Sequence, residues 1–392
     1  MPCRRSWWWC PCCAWAYPGL FSSGPHRPRL NLCIDERLQL NNLISLYVVL
    51  LTLLVAGGCS ESSTSPESPS SQHSTLYYFT WSDYVDAGVV AKFEATRGVR
   101  VVIDTFSSNE ELLAKVQSGM TGYDVVVPSD FMAGIMGRLG LLAELDLAKI
   151  PHVQDLEPHL RQLSFDPTNR FAIPYLWGTV GMGYNADVVT EPPTSWEALW
   201  DPKFSGRISL LNDEREVFGM ALQTLGYSLN SVDPQAIQQA KHKLMMQKPL
   251  VKAYTSEQFD QLLVAGEVVL AHAWGGPIAR AMREHPSIRY ALPQEGGMMW
   301  TDCLAVLASS GQQALAMDFI NYLLDEEVAL ATSQRLLFAS ANRHVRDRLP
   351  AEIRTNTAVY PPSDMLARME WLEDVQEAIR YYDRAWTELK VH

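Results

Sequence analysis

From Leu76 onward, short apolar runs alternate with stretches of helical spacing, and this alternation constrains the fold more than any other feature of the chain. A sheet carrying helices on its faces buries both kinds of segment, so the pattern predicts a mostly parallel α/β architecture. Residues 76–80 read as a first strand, 89–97 as a helix with Val90 and Phe93 at helical spacing, and 99–104 as a second strand. Residues 109–118 form a helix opened by a Ser/Asn cluster that favours capping, and 123–127 form a buried strand stopped by Pro128 and Ser129. Further strands are predicted at 180–184, 207–211, 251–254, 268–273 and 303–307, with helices at 214–225, 233–247 and 256–265. The last eighty residues are chiefly helical, and no repeat of fixed period is present.

The 392 residues exceed what one ordinary core holds, and two lobes suit them. The formal charge is −12, and residues 1–58 contribute five Arg against two acids, so the remainder is more acidic still. Such a surface repels nucleic acid and attracts cations.

Five of the seven cysteines fall in the first 33 residues, leaving Cys59 and Cys303. The globular part therefore has no disulfide framework. Residues 43–56 form a nearly unbroken apolar run, short for a membrane span but suited to a signal-peptide core, with Arg37 as a weak positive flank. The run ends in Ala56, Gly57, Gly58 and Cys59, which resembles a bacterial lipobox, although Ala56 stands where Leu is usual. A Ser/Pro-rich polar stretch over 60–74 follows and has nothing to bury. The reading is a lipidated Cys59 and a flexible tether. Residues 1–36 resemble no targeting segment and read as lying upstream of the true start.

Catalytic and cofactor signatures are missing from the sequence: no phosphate loop, no HExxH, no nucleophile elbow and no EF-hand loop. Gly178, Gly181 and Gly183 do not match a dinucleotide fingerprint, and the nine histidines show no metal spacing. No cofactor is expected.

In open α/β sheets ligands bind beyond the carboxyl ends of the strands. Five turns are singled out by that rule: 81–84, 128–130, 212–216, 273–276 and 299–302. They concentrate aromatic rings (Trp81, Tyr84, Trp274, Trp300) and acids (Asp83, Asp213, Glu216, Asp302). An aliphatic chain bearing several ammonium groups needs this mixture, because carboxylates meet the charges while rings cover the methylenes and attract cations by ~0.5–2 kcal/mol each. Each residue also has a structural use. Asp213 and Glu216 have the N-cap and N3 spacing of a capping box, Asp83 suits a cap for the helix that follows, and the tryptophans suit a core.

At these positions the chain resembles the bacterial spermidine/putrescine-binding proteins, the extracytoplasmic components of ABC importers. The resemblance runs from about 76 to 390 and rests on FTWSDYV at 79–85, YDVVVPS at 123–129, IPYLWG at 173–178, EREVF at 214–218, PQEGG at 293–297, FINYLL at 319–324 and YPP at 360–362. It implies a two-lobed periplasmic-binding-protein-like α/β fold, with a ligand cleft between lobes joined by crossing strands. The first lobe would be 76–179 plus 301–346 and the second 180–300 plus 347–392, with hinges near 177–184 and 300–307. The implied ligand-facing residues are Trp81, Ser82, Asp83 and Tyr84 on the first wall, Ser129 and Phe131 at the floor, Asp213 and Glu216 as second-lobe acids, Trp274 and Trp300 around the methylene chain, and Asp302 on an interior amine. Phe338 stands where the family often has Tyr, and Leu372 near a position that is Gln in some members. Pro277 replaces an Asp common in putrescine-selective members, whereas Asp213 matches an acid of spermidine-preferring ones, so spermidine is expected over putrescine.

The resemblance thus implies a monomeric, membrane-anchored solute-binding lipoprotein that captures a polyamine and works with membrane permease subunits. Three other readings compete: capture of another organic cation, a polyamine-sensing adaptor, and a hydrolase using a carboxylate pair.

Overall fold

The computed structural model describes residues 74–391 apart from Asp83, Met120 and Thr121. The apolar run at 43–56, the lipobox with Cys59, the tether up to residue 73 and the candidate ligand residue Asp83 lie outside the described residues. Eleven strands form one sheet: β1 (Thr75–Trp81), β2 (Arg100–Phe106), β3 (Val125–Val126), β4 (Ala172–Asn185), β5 (Ile208–Leu210), β6 (Val251–Tyr254), β7 (Leu270–Trp274), β8 (Ile288–Ala291), β9 (Met298–Val306), β10 (Ala339–Ser340) and β11 (Glu370–Trp371). The main path runs β2-β1-β3-β9-β4-β7-β5-β6, with β10 and β8 pairing β4 and β11 pairing β9.

The outer strands of each half are parallel, as the alternation predicts: β1 with β2 and β3, and β5 with β6 and β7. The centre departs from the expected mostly parallel sheet. β4 and β9 run antiparallel to each other, β9 is antiparallel to β3, and β4 is antiparallel to β7, β8 and β10. The cause is topological. Each of these two long strands serves both halves of the molecule, so it leaves one half where its neighbour enters. β4 pairs β9 from Ala172 to Val180 and acquires β7 only from Val180 to Tyr184. This is a two-lobed α/β fold joined by crossing strands.

Both crossing strands are longer than the sequence pattern suggests, because their burial on both faces erases alternation. Pro174 also interrupts the strand signal, and the register of β4 on β9 shifts between Pro174 and Leu176, where the missing amide donor is tolerated. β3 is shorter than expected because only Val125 and Val126 pair with neighbours.

Helices cover each half and close its core with aromatic contacts. In the first, Phe319 of the helix Gln313–Leu324 packs edge-on against Tyr78 of β1 and Phe93 of the helix Ala87–Arg97, with ring centroids 5.2 and 4.9 Å apart. In the second, Phe218 of the helix Glu214–Thr224 meets Tyr382 of the C-terminal helix Ile379–Val391 at 5.7 Å. Cys303 is wholly buried in β9, where burial pushes its thiol well above the usual range, so it serves as a small apolar core residue. Among the described residues no helix is long and apolar enough to cross a membrane.

Candidate functional site: an acidic, aromatic-walled cleft

A cavity of about 380 Å³ lies where the strand ends of the two halves converge. Its walls come from the turns after β1, β2, β3, β5, β6 and β7, from the middle of β9, and from the segments just before β10 and after β11. Of the twelve ligand-facing residues expected from the sequence, Asp83 lies outside the described residues. The other eleven, Trp81, Ser82, Tyr84, Ser129, Phe131, Asp213, Glu216, Trp274, Trp300, Asp302 and Phe338, all line this one cavity. Pro277 and Leu372 line it as well.

Asp302 is almost fully buried and has both oxygens engaged. The Tyr84 hydroxyl donates to Oδ2 at 2.5 Å and the Ser129 hydroxyl donates to Oδ1 at 2.7 Å. Ser129 is held in turn by Asn109, whose Nδ2 donates to Oγ at 3.2 Å and whose Oδ1 accepts the Ser129 amide at 3.1 Å. Burial raises the Asp302 carboxyl to about 6, against the pull of those two hydroxyl bonds.

On the opposite wall the capping box is half realised. Asp213 accepts the Glu216 amide at 3.0 Å, as an N-cap should. Glu216 does not reach back to the cap. Its Oε1 accepts from Trp274 Nε1 at 2.8 Å, and Oε2 is buried with no hydrogen-bond partner among the described residues. Burial, reinforced by the nearby Asp213 charge, lifts the Glu216 carboxyl well above the ordinary range, and burial likewise raises Asp213. Burial thus shifts all three acids towards the protonated form, and a cation placed among them would shift them back.

The apolar walls are positioned by close backbone approach. Trp300 rests on Gly178 of β4, where an added Cβ would come within 2.6 Å of the indole ring. Phe338 follows Leu337, a C-cap residue held in the left-handed region at φ 57°, and an added Cβ at Gly276 would meet the Phe338 ring at 2.3 Å. Phe338 contacts Trp300 and Tyr84 with ring centroids 5.6 and 5.0 Å apart. Trp81 and Trp274 meet edge-on across the cleft at 6.5 Å.

Sequence reasoning missed Ser107, Asn109, Arg280 and the segment 256–261, and it singled out the turn 128–130 without naming Asp130 as ligand-facing, yet all of these line the cavity. The strand-end rule, applied also to β2 and β6, finds the turns at 107–109 and 256–258. The helix expected over 256–265 begins only at Phe259, which frees 256–258 to face the cleft. Arg280 carries no such signal, since it lies inside the helix Gly275–Glu284, with its guanidinium donating to the Leu336 carbonyl at 2.8 Å.

Two lobes sharing crossing strands, with buried acids and aromatic walls between them, define a solute-binding protein of the cleft type. The family model for bacterial extracellular solute-binding proteins matches residues 88–361, and the chain belongs to that family. It is 32% identical over 351 residues to the spermidine/putrescine-binding periplasmic protein 1 of Haemophilus influenzae, covering 89% of this chain and 98% of the relative. It is 33% identical over 340 residues to the putrescine-binding periplasmic protein PotF of Escherichia coli, covering 81% and 92%. Among solved structures, the spermidine/putrescine ABC transporter substrate-binding protein PotD from Streptococcus pneumoniae superposes with a TM-score of 0.72 at 31% identity, covering 81% of this chain and 99% of that one. The family consists of binding proteins, so the chain is a solute binder and not an enzyme.

Proposed function

We propose that this protein captures a linear polyamine outside the cytoplasm and delivers it to the permease subunits of an ABC importer, with spermidine favoured over putrescine. The observation that carries the reading is the Glu216 carboxyl, buried between the two walls with an unused oxygen and an indole hydrogen bond from Trp274. An ammonium group supplies the missing partner and the missing charge at once. In this reading Asp302 holds an interior amine, Asp213 and Glu216 hold an amine from the second wall, and Asp83 meets a terminal ammonium. Trp274 and Trp300 flank the methylenes, with Trp81, Ser82, Tyr84, Ser129, Phe131 and Phe338 completing the walls. Relatives named for spermidine/putrescine and for putrescine alone, at similar identity, support a polyamine as cargo. The preference for spermidine follows from Pro277, which replaces an acid, together with the retained Asp213.

The lobes take the boundaries 76–179 plus 301–346 and 180–300 plus 347–392, hinged where β4 and β9 change partners. The protein acts as a monomer held at the membrane by a lipid on Cys59, with 60–74 as its leash, one residue shorter than a tether running to 75 because Thr75 already pairs in β1. Titration calorimetry on a soluble form beginning at Ser60 tests the reading. One-to-one binding of spermidine, with putrescine weaker, is expected. Tight putrescine with weak spermidine overturns the preference, and no binding of spermidine, putrescine, spermine or cadaverine overturns polyamine capture.

A further inference from the structure

One acid of the cavity has a role that neither its neighbours nor the sequence motifs account for. Asp130 follows Ser129 directly, is 2% exposed and lines the cavity. It is the first residue of the helix Asp130–Arg138, whose cap residue, Ser129, makes no side-chain cap bond because its hydroxyl is committed to Asp302. Asp130 Oδ1 takes over at that helix end by accepting the Phe131 amide at 2.8 Å. Its Oδ2 is buried and makes no hydrogen bond of normal geometry among the described residues, although the Thr301 amide lies close enough to pull on the carboxyl. A buried polar atom left unpaired costs about 1–3 kcal/mol, more when charged. Helix capping explains Oδ1 and leaves Oδ2 without a purpose.

The same deficiency recurs on the opposite wall at Glu216 Oε2, whereas Asp302 has both oxygens engaged by Tyr84 and Ser129. The cavity therefore presents two acids with an unused acceptor, one from each wall. We propose that Asp130 is a ligand-binding carboxylate, which together with Glu216 holds an ammonium group of the cargo and ties the two walls to each other. The proposal rests on the polyamine reading above and adds a first-wall acid to it. Burial holds the Asp130 carboxyl well above its ordinary range, against the pull of the Phe131 and Thr301 amides, so burial favours the protonated form and a bound ammonium favours the carboxylate.

The test is calorimetric titration of the mature chain with spermidine, in two buffers of different ionisation enthalpy, alongside thermal unfolding. Asp130→Asn keeps an oxygen for the Phe131 amide and removes the charge. It is expected to unfold at or above the wild-type temperature, to weaken spermidine binding by about 10- to 100-fold, and to release fewer protons on binding. Wild-type affinity and wild-type proton release in this variant overturn the proposal. Should Asp130→Asn fold poorly, Asp130→Ser keeps an acceptor at the helix end and is judged by the same affinity criterion. A wild-type protein that binds no spermidine overturns the polyamine reading and this inference with it, whereas a wild type that binds and a variant that matches it overturn the inference alone.

Discussion

Asp302 and Glu216 face the same cavity from different walls and are held in different ways. Asp302 is fixed before any ligand arrives, because Tyr84 and Ser129 occupy both of its oxygens and Asn109 fixes Ser129. Glu216 has one bond, from Trp274, and one idle oxygen. The carboxyl shifts follow that difference: Asp302 settles at about 6, while Glu216 is pushed well above the usual range. A paired acid is a preorganised part of the wall, and a half-paired acid is one that the ligand completes.

Replacing each acid breaks the comparison most directly. Glu216→Gln is expected to weaken spermidine binding by about 2–5 kcal/mol, because it removes the charge that faces a desolvated ammonium, while unfolding temperature holds or rises, since an oxygen remains for Trp274 Nε1 and a buried, poorly paired acid disappears. Asp302→Asn is expected to weaken binding as well, and here the unfolding temperature should fall, since Tyr84 or Ser129 loses its acceptor. Calorimetry and thermal unfolding on both variants check this. Equal stability losses in the two would show that the walls do not differ as described.

The aromatic wall offers a gentler probe. Gly178→Ala places a methyl group 2.6 Å from the Trp300 ring in a strand with no slack, so Trp300 must tilt. Overpacking of this kind typically costs about 1–3 kcal/mol of stability. Spermidine affinity should fall with it, whereas the Glu216–Trp274 pair on the other wall is left intact. A crystal structure of the variant with Trp300 unmoved would sink this account of how the wall is set.

Acidity separates the empty and filled states. The folded pKa of Asp302, about 6, lies above its ordinary value of 3.8, so the empty folded protein binds a proton that the unfolded chain releases. Stability of the ligand-free form from this group is greatest below pH ~4 and declines as pH rises towards 6, with a slope of at most about 1.4 kcal/mol per pH unit per proton. Ligand affinity runs the other way, because an ammonium requires the carboxylate, and should tighten between pH 5 and 7. Unfolding and titration series across that range check both signs, and parallel trends would contradict the scheme.

Much of the site was legible in the sequence because its residues sit in strand-end turns, which a local pattern reveals. Trp81, Ser129, Asp213 and Trp274 are placed by the chain next to them. The crossing strands were less legible. Burial of β4 and β9 on both faces removes the alternation that marks a strand, and β4 carries a register shift just after Pro174. Glu216 shows a different limit. Its spacing from Asp213 reports the N-cap bond, yet the carboxyl that a capping box would turn back to Asp213 goes instead to Trp274, 58 residues away, and no local pattern reports a contact of that range.

Phe338 supplies the smallest test. Its ring is buried against Tyr84 and Trp300, and Leu372 likewise lines the cavity without a hydrogen-bonding group. Phe338→Tyr adds a hydroxyl to a ring that is already seated over Gly276, so the fold should tolerate it. If the ligand's amine passes within reach, the new bond should tighten spermidine binding by about 0.5–1.5 kcal/mol. If the hydroxyl is left unpaired, binding should weaken by a similar amount, and the apolar side of the cavity then belongs to the methylenes. Titration of this variant with spermidine and with putrescine distinguishes the two arrangements, because a gain for spermidine alone places the extra amine beside residue 338, opposite the acids of the second wall.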